Sequence, residues 1–193
     1  SKDEPNRPLR ASSCAIRDSL QAFFGCPSAL LAAVGYVAVV FVSFGYSAWG
    51  PKFVAIKFGL SPEKAATGVM FWHYAAAFAA ILLAGLLTDV CVRRWPRFRL
   101  ALQAASLLVA APMLALFGCG TTLAGAFAAA AVFGLMRGLF EANAFASLFD
   151  VIRPECRASA VGYLNVIAGL VGSLAPIILG ALSDRMGLSG FTY

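Results

Sequence analysis

Residues 28–49, "SALLAAVGYVAVVFVSFGYSAW", run from Ser28 to Trp49 without one charged side chain. A helix crosses the hydrocarbon core of a bilayer with about 20 predominantly apolar residues, each rising about 1.5 Å. This stretch is long enough to span. Four more segments meet the same test, at 66–88, 100–118, 121–149 and 158–182. The composition agrees: 61% of the residues are hydrophobic and 12% are charged, against roughly 45–50% and 25% in a soluble domain. The reading is an all-α membrane protein with five transmembrane helices. The lipid bilayer is its first partner.

The formal net charge of +6 would suggest nucleic acid in a soluble chain. Here the basic residues gather at span ends, where they set orientation, so no nucleic-acid partner is expected. Lys2, Arg7, Arg10, Arg17, Arg93, Arg94, Arg97, Arg99, Arg153 and Arg157 fall on one side; Lys52, Lys57, Lys64 and Arg185 fall on the other. Ten against four makes the first side, with the N-terminus of this chain, cytoplasmic. Residues 12–26 mix apolar and charged positions before Pro27 and read as a short interfacial helix, so residues 1–27 are expected to be a cytoplasmic loop ahead of a membrane domain at 28–193. The first span is expected to end at Trp49-Gly-Pro51, and Ser61-Pro-Glu-Lys64 to open the next helix. Residues 10–28 lack the order of a secretory signal.

Five cysteines, Cys14, Cys26, Cys91, Cys119 and Cys156, stand at long spacings with no CxxC. They read as free thiols, and nothing in the sequence calls for a metal or a cofactor. With one histidine and no nucleophile spaced to its base, an enzyme is not indicated either.

The polar exceptions inside the spans are the candidate functional residues. Arg137 and Glu141 lie one turn apart in an apolar run and share a helix side with Ala130, Gly134 and Ala144. Each charge costs about 2.5–3.5 kcal/mol at mid-bilayer on insertion scales, so this face is expected to point inward toward a substrate or proton path. The alternative is a pair near the cytoplasmic boundary that snorkels or bonds locally. Tyr36, Ser43 and Ser47 form a polar stripe on the first span, lining a watery path or bonding within and between helices. His73, the sole histidine, is either a proton relay or a side chain bonded to a neighbouring helix. On the last span Gly162, Asn165, Gly169, Gly172 and Pro176 fall on one side, a seam for close packing and bending.

Gly85-Leu-Leu-Thr-Asp89 followed by Arg93-Arg94 resembles the G-x-L-x-D loop of the major facilitator superfamily of secondary transporters, with Val90 and Val92 replacing that loop's first basic residue and its glycine. Trp49-x-Pro51, Gly59-Leu-Ser61 and Ala65 resemble the outer loop of its organic-anion and sugar-acid permeases, the anion:cation symporter branch. Arg137-Gly-Leu-Phe-Glu-Ala-Asn143, continuing through Asp150, Pro154 and Arg157 to Pro176 and Gly180-Ala-Leu-Ser-Asp184, is similar to the tenth and eleventh spans of that branch. The resemblance implies the second six-helix half of a twelve-helix fold, lacking its last helix and sharing its site with a missing N-terminal half. It implies a secondary active transporter in the inner cell membrane, working by alternating access. Its cargo would be a small organic anion, such as a sugar acid, carboxylate or sugar phosphate, with a proton as candidate co-ion. Gly85, Asp89, Arg93 and Arg94 would form a cytoplasmic gate, whereas Asp184 lies on the opposite side. Arg137, Glu141, Tyr36, His73 and Asn165 are the pathway candidates, and Gly169, Gly172 and Pro176 the packing and bending positions. A membrane sensor or scaffold that keeps this fold but moves nothing is the alternative.

Overall fold

A computed structural model of the chain describes residues 16–95 and 97–185. It holds six α-helices, α1 Ile16–Phe24, α2 Pro27–Phe58, α3 Pro62–Cys91, α4 Phe98–Cys119, α5 Leu123–Val151 and α6 Arg157–Arg185, with a 3-10 turn at Pro154–Cys156. No strand occurs among the described residues. Each of the five apolar segments coincides with one long helix. The shortest, α4, has 22 residues, and at about 1.5 Å per residue it crosses a hydrocarbon core about 30 Å thick. Large apolar side chains such as Leu31, Phe78, Leu86, Leu108 and Ile177 stand exposed on the outer faces. Lipid is the medium that covers such a belt, and the chain is a multi-pass membrane protein.

The end of α2 departs from the expectation. The helix runs through Trp49-Gly-Pro51 and stops at Gly59, whose φ of 64° is the left-handed conformation that glycine adopts without steric cost. Pro51 removes one backbone donor, a loss that membrane helices tolerate, and does not end the helix. The last two turns suit an interface. The Lys52 ammonium sits 5.1 Å from the Trp49 ring and that of Lys57 5.0 Å from the Phe53 ring. Lys57 Nζ also donates to the Gly118 carbonyl at 2.6 Å, satisfying a group left unpaired near the end of α4. At the start of α3, Ser61 occupies the cap position with Pro62 and Glu63 behind it, but its side chain makes no capping bond. The cap that forms is on α5, where Thr122 Oγ1 accepts from Gly125 N–H at 3.1 Å.

Alternating connections put the ends of α3 and α5 beside α1, and the end of α6, with Asp184, at the opposite end of the bundle. The helix α5 packs on α3 and α4; α6 packs along α2; α2 joins the two groups by touching α3 and α5; α5 and α6 scarcely touch. Gly134 and Gly138 make the α3–α5 approach possible. A Cβ on Gly134 would collide with the His73 carbonyl, and one on Gly138 with the Ala77 carbonyl and, at 2.9 Å, the Ala80 Cβ. The glycine seam expected on α6 is only partly realised. Gly172 packs on Val40 and Phe44, while Gly162 and Gly169 have no neighbour within 4 Å of a built Cβ, because this side of α6 turns toward a gap and not toward a helix.

A ladder of polar pairs ties α5 to α3 and α4 near the α1 end. Thr88 Oγ1 donates to Asn143 Oδ1 at 3.0 Å, Gln103 Nε2 to Ser147 Oγ at 3.0 Å, and Arg99 pairs with Asp150 at 3.1 Å. Arg157 Nη2 donates to the Phe149 carbonyl at 2.7 Å and Nε to the Ile152 carbonyl at 3.3 Å, so the first residue of α6 caps the end of α5. Helix α1 docks at this end through the buried Phe23. It coincides with part of the expected interfacial helix; residues 12–15 lie outside the described residues. Cys26, Cys91 and Cys119 are free thiols, whereas Cys156 is disulfide-bonded, which corrects the expectation for that residue.

Candidate functional site

The gap between α5 and α6, closed on its third side by α2, is a cavity of about 260 Å³. Tyr36 and Ser43 reach it from α2, Arg137 and Glu141 from α5, and Asn165 and Gly169 from α6. Four of the five pathway candidates therefore line one space, and the fifth, His73, touches it through Arg137. Ser47 does not line it.

Arg137 is the middle residue of α5, on the order of 20 Å from either helix end. There the pair is held locally. Arg137 Nε donates to Glu141 Oε1 at 2.9 Å, Nη2 stands 2.8 Å from the same oxygen in the ion pair, and Nη1 lies 3.3 Å from His73 Nε2. The two charged side chains keep 19% and 24% of their surface exposed. A pair left partly open in this way costs less to bury than a sealed one and stays available to a ligand.

His73 is fully buried, with the rings of Tyr46, Tyr74 and Phe133 at 5.0, 5.0 and 5.3 Å. Its Nδ1 faces the Ala130 backbone, short of full hydrogen-bond geometry. At the mouth of the cavity Tyr36 OH donates to Asn165 Oδ1 at 3.3 Å, bridging α2 and α6. Ser43 Oγ is buried without a partner. Two residues of this neighbourhood, Tyr46 and Phe133, were not among the sequence candidates. They sit in apolar runs, and only the packing of α2 and α5 on α3 brings them to the histidine.

The remaining candidates lie elsewhere. Gly85 is exposed with no neighbour within 4 Å of a built Cβ. Arg93 and Arg94 are exposed just past the end of α3, and the side chain of Asp89 lies outside the described residues. Pro176 leaves α6 continuous, and its carbonyl accepts from Trp49 Nε1 at 3.2 Å. Among the described residues no group of three or more His, Cys, Asp or Glu side chains is arranged to hold a metal ion.

Residues 1–176 match the family model of the Major Facilitator Superfamily. The chain belongs to the major facilitator superfamily. This is a family of transporters and not of enzymes. Within it, the chain is 30% identical over 132 residues to Monocarboxylate transporter 1 of Rattus norvegicus, covering 63% of this chain and 27% of that protein. It is 33% identical over 101 residues to Monocarboxylate transporter 1 of Mus musculus, covering 52% of this chain and 20% of that protein. The chain thus matches about a quarter of the length of these relatives. Its fold is similar, with a TM-score of 0.76 and 22% identity, to a crystal structure of a bacterial homolog to the human lysosomal transporter Spinster, inward-facing and unoccupied. That likeness covers 98% of this chain and 41% of the other.

Proposed function

We propose that the full-length protein is a secondary active transporter of a small organic anion, a monocarboxylate, moved together with a proton. The carrying observation is the Arg137–Glu141 pair, half-way along α5 on the wall of the α2/α5/α6 cavity. As it stands the pair is neutral. An incoming anion alone would leave one uncompensated charge, which costs about 2.5–3.5 kcal/mol at that depth. A proton on Glu141 removes the imbalance and frees Arg137 Nε and Nη2, giving a planar fork suited to a carboxylate. Anion and proton then enter as a neutral set. Asn165 and Ser43 supply further hydrogen-bonding groups. The names of the two monocarboxylate transporters support this cargo over the sugar acids and sugar phosphates that remain open from the sequence.

In this reading the chain is the second six-helix half, and a first half completes the cavity and alternates its access. The ten-to-four basic count supports a cytoplasmic α1 end in the cell membrane. Gly85, Asp89, Arg93 and Arg94 form the gate contact with the other half; the exposure of Gly85, Arg93 and Arg94 supports this, since those surfaces are left uncovered here. The test is uptake of radiolabelled pyruvate by proteoliposomes of the full-length protein, with an inward proton gradient and gluconate or glucose 6-phosphate as competitor. Saturable, gradient-driven uptake that the competitors leave unchanged is expected. Inhibition by a competitor would reassign the cargo, and pyruvate binding without flux would make the protein a sensor.

A further inference from the structure

We propose that His73 is a positioning residue of the anion site and not a proton carrier: its Nε2 lone pair orients the Arg137 guanidinium for a single carboxylate. The proposal rests on Arg137 being the anion site. Arginine stays protonated in proteins and has no acceptor, so the hydrogen in the 3.3 Å contact belongs to Nη1 and His73 Nε2 accepts it. A neutral imidazole accepting at Nε2 carries its proton on Nδ1. That nitrogen faces the Ala130 backbone, whose carbonyl can receive the proton. Nε2 is thereby committed to Arg137, with the ring's proton on the side of the α5 backbone.

The surroundings keep the ring in that state. Its titratable and charged neighbours are Arg137 on α5, Tyr46 on α2 and Tyr74 on its own helix, with Glu141 on the far side of Arg137. A protonated ring would set two cations 3.3 Å apart among aromatic faces, with no carboxylate touching the imidazole. The backbone adds rigidity, because Gly134 lies directly on the His73 carbonyl and fixes α3 against α5 at this level.

The consequence is which donors the anion meets. His73 engages Nη1, and when a proton on Glu141 releases Nε and Nη2, those two nitrogens form the planar fork that matches the two oxygens of one carboxylate.

Nitrogen-15 NMR of the histidine-labelled full-length protein, with the His73 signal identified by its loss in His73→Gln, reads the tautomer directly. The expected result is Nδ1–H with an unprotonated Nε2 between about pH 5 and pH 8, the range in which a free histidine titrates. An imidazolium or an Nε2–H tautomer in that range overturns the proposal. Proteoliposome uptake of radiolabelled pyruvate gives the second readout. His73→Gln, which restores an acceptor, should keep KM near wild type. His73→Phe, which keeps a ring without one, should raise KM about tenfold or more, the scale of a hydrogen bond to a charged group. Neither should move the pH profile, and loss of proton dependence in both would make His73 a relay. Absence of uptake by the wild type would retire the transport reading, while the tautomer measurement still decides the role of His73.

Discussion

Arg137 and His73 are 64 residues apart in the chain and 3.3 Å apart in space, at the level where α3 and α5 meet backbone to backbone. The missing side chain of Gly134 allows that meeting. The helix that carries the ion pair can therefore lie close enough for a buried imidazole to reach the guanidinium half-way along it.

Gly134→Ala should accordingly be costly. The new methyl meets a backbone carbonyl, which cannot turn aside, so the helices must separate; overpacking of this kind costs typically 1–3 kcal/mol. Gly162→Ala enters open space and should be neutral or slightly stabilising, since alanine favours a helix by roughly 0.5–1 kcal/mol over glycine. Thermal unfolding of the two variants in detergent makes the comparison. Equal stability would mean that α3 and α5 are not as close as described.

A second prediction concerns the polar ladder. Thr88 and Asn143 are both buried, and Asn143 Nδ2 also donates to the Leu139 carbonyl at 3.0 Å. A double-mutant cycle with Thr88→Val and Asn143→Leu should give a coupling of about 0.6–1.7 kcal/mol, the range measured for hydrogen bonds between membrane helices. Additive losses would show that the two side chains do not depend on each other.

The sequence made the helices legible because length and hydropathy decide spanning segments, and it made Arg137 and Glu141 legible because charges inside such segments are expensive. It could not show that Tyr36, Asn165 and Arg137 share a cavity, since that follows from α6 lying along α2. The ladder left a trace in the i, i+4 spacing of Arg99 with Gln103 and Asn143 with Ser147. Near span ends, such polar residues are indistinguishable from ordinary boundary residues. Pro51 misled because a proline that stops a helix in water can be carried through one in a membrane. The Gly162 and Gly169 positions misled in the other direction, as small residues that border a gap look like small residues that border a helix.

Orientation gives a third prediction. Cys91 ends α3 and Cys119 ends α4, so the two free thiols sit at opposite ends of the bundle. With the basic residues inside, a membrane-impermeant maleimide applied to intact cells should modify Cys119 first and reach Cys91 only after permeabilisation. The reverse order would invert the topology.

The last prediction addresses what the Arg137–Glu141 pair is for. If it serves only the helix, removing both charges together as Arg137→Leu with Glu141→Leu should leave uptake of radiolabelled pyruvate nearly unchanged, because the costly state is a single charge left unpaired. If it holds the cargo and the proton, the double variant should insert and unfold like the wild type yet carry nothing. The single variants separate the two roles. Glu141→Gln removes the proton site while keeping an oxygen that can accept from Arg137, so exchange of pyruvate across the membrane should persist while its dependence on the proton gradient disappears. Arg137→Lys keeps the charge but loses the planar fork, and its KM should rise about tenfold or more. An exchange that still answers to the proton gradient in Glu141→Gln would move the coupling proton elsewhere. Normal gradient-driven uptake by the double variant would show that these charges bind α5 to itself and to His73, and that the anion site lies on another wall of the cavity.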